Sequence, residues 1–167
     1  GWPVPIVKPV MSLAAPKSSV VNGTAFRVAI VAARYNEELA NGLLDRVVAG
    51  LRAAGVKEKN LTVVRVPGSH EVPVAAALVA HHTQADCVVA LGVLIGGDTR
   101  HHEMVGQSVS HALQTLALAS GIPIINGVIV ADTLAQARTR CVGKINRGAE
   151  FASAAVEMAA VKRTFSS

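Results

Sequence analysis

The chain has 167 residues, 16 lysines and arginines against 11 acidic residues, and a formal net charge of +5. This length suits one domain with a single core, and because 51% of the residues are hydrophobic but only 3% are aromatic, small and branched aliphatic side chains must fill that core. Nucleic-acid binding is disfavoured because the basic residues are scattered and few aromatic rings are available to stack on bases, whereas a small anionic ligand explains the excess of positive charge equally well.

Residues 1–23 form an N-terminal arm, with four of the seven prolines among small and polar residues. Because proline has no amide hydrogen and interrupts regular hydrogen bonding, we expect an extended arm here, followed by one α/β domain over residues 24–167. Residues 18–23 contain no proline and could add a strand to the sheet of a neighbouring subunit. Met11 is one candidate for the natural start, and a processed targeting leader is the alternative.

From Phe26 onward, apolar runs and amphipathic segments alternate along the chain. The apolar runs predict four strands, at 26–33, 61–66, 87–95 and 122–130, and the first of them is apolar enough to be buried on both faces. The first helix carries Leu39, Leu43, Val47 and Leu51 at four-residue intervals and ends at Gly55, and the other helices are predicted at 72–82, 99–120, 133–140 and 147–163. Alternating strands and helices predict a parallel sheet covered on both faces, with right-handed crossovers.

Two cysteines, Cys87 and Cys141, are too few for a disulfide framework or a cysteine zinc site, which favours a reducing compartment. No apolar stretch reaches the roughly 18 residues that span a bilayer, and no basic-then-apolar signal peptide is evident. We therefore expect no metal, no membrane association and a cytoplasmic location, or a plastid one if the source is a plant or alga.

Polar segments follow the predicted strands at 34–37, 67–71, 96–102 and after Val130, where parallel sheets bind their ligands. In the third segment, Gly96 and Gly97 allow a tight turn, and Asp98 or Thr99 can cap the next helix. The free amides and the dipole at that helix start favour an anion such as phosphate.

Several side chains in these segments suit chemistry on a heterocycle. His101 and His102 lie in the first helical turn, where the positive helix end favours a neutral imidazole that can accept a proton near pH 7. Tyr35 offers a flat face for stacking, and Glu71 can accept hydrogen bonds or only place charge at a helix start. Among Arg138, Arg140, Lys144 and Arg147, one cation should neutralise a bound phosphate.

Read in order, these segments resemble the 6,7-dimethyl-8-ribityllumazine synthase family. The matching motifs are RYNE at 34–37, VPGSHEVP at 66–73, GVLIGGDTRHH at 92–102, PIINGV at 123–128, ARTR at 137–140 and NRGAE at 146–150. The resemblance covers residues 26 to about 163 without large gaps. Six ordered motifs are far more specific than any one of them.

The resemblance implies a flavodoxin-like three-layer α/β/α sandwich with a four-stranded parallel sheet, which an arm from a neighbouring subunit can extend. It also implies a transferase of riboflavin biosynthesis that condenses 5-amino-6-(D-ribitylamino)uracil with 3,4-dihydroxy-2-butanone 4-phosphate and releases phosphate and water. Such a reaction needs orientation and proton transfer but no cofactor. The family forms homopentamers, decamers or sixty-subunit icosahedral capsids, with the site between neighbours of a pentamer. The mean hydropathy of +0.42 agrees with apolar surface buried between subunits.

Carried onto this sequence, the family's site assigns catalysis to His101, which moves protons, and to Arg140 of the adjacent subunit, which neutralises phosphate. Tyr35 stacks on the pyrimidine, and amides at Gly97, Asp98 and Thr99 hold the phosphate. The full substrate-binding set that the resemblance implies is Tyr35, Asn36, Ser69, His70, Glu71, Leu94, Ile95, Gly97, Asp98, Thr99, Asn126 and Arg147.

Five positions depart from the family pattern: Tyr35, His70, Gly96, His102 and Asn126. Together they replace a basic residue and much of the apolar wall around the heterocycle, where each aromatic contact contributes roughly 0.5–1.5 kcal/mol beyond its area. We expect retained activity with altered affinity. The alternative is a weakened or inactive relative that serves as a shell or as a flavin- or lumazine-binding scaffold. A receiver domain is disfavoured, because its acidic residues are missing after the first and third strands.

Overall fold

In the computed structural model, which describes residues 20–166, four strands alternate with five helices. The strands are β1 (Val28–Ala33), β2 (Leu61–Val66), β3 (Cys87–Ile95) and β4 (Ile124–Ala131). The helices are α1 (Glu37–Ala53), α2 (Val72–Thr83), α3 (His101–Ser120), α4 (Leu134–Cys141) and α5 (Arg147–Thr164). Short 3₁₀ turns precede β2 and α2, at Glu58–Asn60 and Ser69–Glu71.

The strands form one parallel sheet in the order β2-β1-β3-β4. All six residues of β1 are buried, and the first seven of β3 are buried as well. These two central strands have helices over both faces, which explains their continuous apolar sequences. The predicted parallel sheet is therefore confirmed.

Alternate residues of β1 enter two separate cores, so the molecule has three layers. Ile30 and Ala32 pack with α1, α4 and α5 on one face of the sheet. Ala29 and Val31 pack with α2 and α3 on the other face. The predicted three-layer α/β/α arrangement is confirmed, whereas the expectation of a single core is wrong, because the sheet separates one core on each of its faces.

Several predicted boundaries shift by one or two residues for identifiable reasons. β1 begins at Val28 because the amide of Arg27 donates to the Asp86 carboxylate rather than to a strand. β4 begins at Ile124, after a left-handed Gly121 (φ 69°) has ended α3. Gly55 is also left-handed (φ 97°), as expected for the residue that ends α1.

The arm predicted over residues 1–23 lies mostly outside the described residues, which begin at Val20. Its last residue, Gly23, is buried and donates its amide hydrogen to the carbonyl of Ala54, 2.7 Å away. The end of the arm therefore lies against the C-terminal end of α1. Within residues 20–166, no helix is long and apolar enough to cross a bilayer.

At the amino edge of the sheet, a buried carboxylate holds the end of α5. Asp86 is only 2% exposed, and its two oxygens accept from Arg163 at 2.7 Å (Nε) and 2.9 Å (Nη2). Burial opposes ionisation of Asp86, but the hydrogen bonds from Arg163 and from the amide of Arg27, with the charges of Arg163 and Lys162, outweigh it and lower the pKa of this carboxyl. The pair ties the last turn of α5 to the start of β3.

Replacing Arg163 with methionine should lower the free energy of unfolding by about 1–2 kcal/mol at pH 7. This loss is smaller than the loss expected for a fully buried charged hydrogen bond, because the guanidinium is half exposed. A lowered carboxyl pKa stabilises the fold above the ordinary aspartate pKa of about 3.9, and this stabilisation disappears as the pH falls through the lowered value. Denaturant titrations should therefore show the two proteins converging below that pH. Arg52→Met, which breaks an exposed ion pair with Glu58, is the control and should change nothing measurable. A difference independent of pH would contradict this explanation.

Candidate active site

A cleft of 460 Å³ opens at the carboxyl edge of the sheet, where β1, β2 and β3 end and α3 begins. This is the edge at which parallel α/β sheets bind ligands. Three turns supply its walls: the one between β1 and α1, the 3₁₀ turn after β2, and the loop between β3 and α3. The lining residues are Tyr35, Asn36, Gly68, Ser69, His70, Glu71, Val93, Leu94, Ile95, Gly97, Thr99, His101, His102 and Val105.

The turn between β1 and α1 presents Tyr35 at the rim of the cleft, where its side chain is 74% exposed. Asn36 follows in the left-handed conformation (φ 58°), which asparagine tolerates better than most residues. Its Nδ2 donates to the carbonyl of Val93 at 2.7 Å, so the amide bridges the ends of two neighbouring strands. Asn36 lines the cleft as predicted, and its Nδ2 serves to hold the turn that carries Tyr35.

The 3₁₀ turn after β2 places one hydroxyl inside the wall and two charged or polar side chains at the surface. Ser69 is 4% exposed, and its Oγ has no hydrogen-bond partner among residues 20–166. A Cβ at position 92 would lie 2.3 Å from this oxygen, so Gly92 leaves room for the hydroxyl. His70 and Glu71 are exposed, and Glu71 Oε2 accepts from the amide of Gly68 at 3.2 Å. An unsatisfied hydroxyl in a cleft wall is available to a ligand.

In the loop before α3, the two glycines serve different purposes, and neither has a positive φ. A Cβ at Gly96 would lie 2.5 Å from the backbone oxygen of Asp132, whereas a Cβ at Gly97 would meet nothing within 4 Å. Gly96 therefore allows the loop to pack against the end of β4, and its amide donates to Ala131 at 2.8 Å. Gly97 borders open space in the cleft.

The helix cap predicted at Asp98 or Thr99 is wrong in detail, because the N-cap of α3 is Arg100, with no side-chain cap bond. Thr99 still accepts from the amide of His101 through Oγ1, at 3.4 Å. Asp98 is exposed and does not line the cleft. The N-cap side chain therefore leaves the first amides of α3 uncapped, apart from the long hydrogen bond of the His101 amide to Thr99, and such a helix start suits an anion.

The two adjacent histidines differ in burial. His101 is exposed on the first turn of α3, whereas His102 is 8% exposed and has its Nε2 3.3 Å from Oδ1 of Asp132. The ligand atoms of His102, Glu103 and Asp132 lie within 4.8 Å of one another, but both carboxylates are exposed, as such groups commonly are without a metal. The sequence did not reveal this grouping, because Asp132 follows β4 and is 30 positions away from His102 in the chain.

Four predicted site residues do not line this cleft: Asp98, Asn126, Arg140 and Arg147. Asn126 is exposed on the edge strand β4 and borders a separate groove of 670 Å³ beside α3. Arg140 donates to the carbonyl of Gln136 in its own helix at 3.0 Å. Arg147 pairs with Glu150 at 2.8 Å and lies 5.7 Å from the ring centre of Phe151. Within one chain these residues are therefore not part of the cleft.

Fold and cleft together define an α/β protein with a cleft at the carboxyl edge of a parallel sheet, the edge at which proteins of this class bind small ligands. Residues 25–163 match the family model described as 6,7-dimethyl-8-ribityllumazine synthase. A relative of that name from Bordetella petrii is 40% identical over 139 residues, covering 83% of this chain and 78% of the relative. Another relative of that name, from Halorhodospira halophila, is 41% identical over 138 residues, which cover 82% of this chain and 88% of the relative. The chain belongs to the 6,7-dimethyl-8-ribityllumazine synthase family.

Adding a methyl group should lower stability at Gly96 and leave it unchanged at Gly97. Gly96→Ala forces the loop against the rigid backbone of Asp132 and should lower the free energy of unfolding by about 1–3 kcal/mol. Gly97→Ala is the matched control, since its methyl group enters open space and should leave the denaturation midpoint unchanged. Equal losses in the two variants would show that close packing against β4 is not the reason for Gly96.

Proposed function

We propose that this chain is a 6,7-dimethyl-8-ribityllumazine synthase that condenses 5-amino-6-(D-ribitylamino)uracil with 3,4-dihydroxy-2-butanone 4-phosphate. The observation that carries the proposal is the cleft, which collects residues from three of the matched motifs at one edge of the sheet. The family match supports the same activity. Imine formation, phosphate elimination and ring closure then depend on orientation and proton transfer.

The pyrimidine side of the cleft is proposed to lie between Tyr35 and the 3₁₀ turn after β2. The exposed ring of Tyr35 is available for stacking on the heterocycle. The unpartnered Oγ of Ser69 and the carboxylate of Glu71 suit hydroxyl and amine groups of the ribityl-bearing ring. Backbone groups at Leu94 and Ile95 border the same space.

The phosphate is proposed to bind at the loop before α3, beside Gly97 and Thr99, where the helix start offers amides and open space. Among the residues described as lining the cleft, none is lysine or arginine. A doubly charged phosphate in such a site needs a cation from elsewhere, since buried charge is costly unless it is paired. We assign this role to Arg140 of a neighbouring subunit, with Asn126 and Arg147 on the same wall.

His101 is proposed to carry the proton transfers. It lies on the first turn of α3, next to the proposed phosphate site, and its side chain is exposed to the cleft. An imidazole is the side chain best suited to accept and return protons near neutral pH. A base beside the leaving phosphate can serve elimination and the later ring closure.

A two-subunit site requires a ring of chains, and the edge of the sheet offers a surface for it. Among residues 20–166, β4 pairs with β3 alone, and it exposes Val130 and Asn126 along a groove shared with α3. Exposed apolar groups at a sheet edge favour burial against another chain. We propose a homopentamer, and decamers or sixty-subunit capsids stay predictions, as does a cytoplasmic or plastid location.

Wild-type protein given both substrates should form 6,7-dimethyl-8-ribityllumazine and release phosphate. The formation of the lumazine product is measured by its absorbance. His101→Ala and Arg140→Met should each lower kcat/KM by about 10²-fold or more, from loss of proton transfer and of phosphate neutralisation respectively. Arg138→Met, which removes a cation from the same helix, is the control and should retain activity. A wild type without activity, or variants that lose nothing, would favour the scaffold alternative.

The same variants test whether the site spans two subunits. Refolding His101→Ala and Arg140→Met chains together should restore about a quarter of the sites, because each site draws one residue from each of two neighbours in a closed ring. A site contained in one chain would stay inactive in the mixture, since every chain carries one defect.

The mass of the native particle tests the assembly separately from the chemistry. Native mass spectrometry should give a multiple of five times the 17.2 kDa chain. Val130→Asp places a charge on the exposed edge strand and should dissociate the ring, whereas Val63→Asp, on the opposite edge strand β2, should leave the mass unchanged. An active monomer would contradict the two-subunit site.

A further inference from the structure

We propose that His102, oriented by Asp132, is a second imidazole of the cleft that accepts a hydrogen bond from a hydroxyl or amine group of the bound substrate. The inference rests on the proposed function and adds a specificity-determining residue to it. This position departs from the family pattern, in which an aromatic residue follows the histidine of the third motif.

His102 combines burial with access to the cleft. Only 8% of the residue is exposed, yet it forms part of the cleft wall together with Val105, one turn further along α3. Its Nδ1 is buried and has no hydrogen-bond partner among residues 20–166. Because nearly all buried polar atoms of folded proteins are partnered, an unpartnered nitrogen in a cleft wall points to a ligand atom.

The contact with Asp132 determines which nitrogen is free to accept. A carboxylate can only accept hydrogen bonds, so the proton of a neutral His102 must lie on Nε2, 3.3 Å from Oδ1 of Asp132. Nδ1 then carries a lone pair and can accept from a donor. The imidazole is therefore set to recognise O–H or N–H groups rather than a phosphate oxygen.

Asp132 is itself held in place from two directions, although its side chain is 76% exposed. Its backbone packs against Gly96, where any side chain would collide with it. Its amide donates to Oε1 of Gln136 at 2.9 Å, at the start of α4. Gly96 and the imidazole of His102 therefore both contact Asp132, the residue that follows β4. Through these two contacts, Asp132 holds part of the cleft wall in place.

Three replacements at position 102 separate ligand recognition from packing. His102→Phe keeps a ring but removes both nitrogens, His102→Asn keeps an acceptor near the position of Nδ1, and His102→Gln keeps a polar group near that of Nε2. We expect the phenylalanine and glutamine variants to raise KM for one of the two substrates by about tenfold, and the asparagine variant to stay within about threefold of wild type. The substrate whose KM changes identifies the donor: the ribitylaminopyrimidine or the hydroxybutanone phosphate.

Asp132→Ala removes the partner that fixes the ring, and should raise the KM of that same substrate. His81→Asn, at an exposed position near the end of α2, is the control and should behave as wild type. Denaturation midpoints measured for every variant report packing alone. The inference is overturned if His102→Phe leaves KM and kcat unchanged, whether or not its denaturation midpoint changes. It is also overturned if the asparagine and glutamine variants have equal KM values.

The wild-type assay for lumazine formation is carried out first and decides the proposed function separately. If wild type forms no lumazine, that proposal fails, and calorimetric titration of the ribitylaminopyrimidine into wild type and His102→Phe then decides the role of His102. Weaker binding to His102→Phe than to wild type supports the inference. Equal binding, including no binding to either protein, overturns it.

Discussion

The parallel alignment of β1 with both of its neighbours is the constraint on which the site depends. Because β1 pairs in parallel with β2 and β3, the three turns that follow these strands meet at one edge of the sheet. The Asn36 amide then joins the turn after β1 to the last part of β3, through the carbonyl of Val93. Residues more than thirty positions apart in sequence therefore form one cleft, with Tyr35 at its rim.

The side chains that line the cleft explain why we propose that the active site is formed by two subunits and not by a single chain. Its described lining offers hydroxyl, imidazole, carboxylate and amide groups, but no permanent cation. Arg140 on α4 and Arg147 at the start of α5 form hydrogen bonds within their own helices. In the function that we propose, one of these cations lies against the cleft of a neighbouring chain, so that catalysis would depend on assembly.

Stability and ligand recognition are placed at opposite edges of the sheet. At the amino edge, the carboxylate of Asp86 has its charge balanced by Arg163 and has no access to the cleft. At the carboxyl edge, the Oγ of Ser69 and the Nδ1 of His102 are buried without a hydrogen-bond partner among residues 20–166. Oδ1 of Asn41 and Nε of Arg147 are also buried without such a partner, but neither residue lines the cleft. Because an unsatisfied polar atom destabilises a fold, the two such atoms in residues of the cleft wall are the ones that a ligand could satisfy.

The sequence by itself determined the layer order of the fold and most of the cleft. Periodic apolar residues predicted the four strands and five helices to within a few residues, because burial on one or both faces leaves a direct record in the pattern. The sequence also identified Ser69 and His101 as residues of the cleft wall. Polar residues that come directly after the strands of a parallel sheet lie at the edge where such sheets bind ligands. Tertiary structure alone decided that His102 lies beside Asp132, that the backbone after β4 requires a glycine at position 96, and that Asp98 does not line the cleft. These relations join segments that are distant in sequence, and no local pattern of hydrophobicity or charge records such contacts.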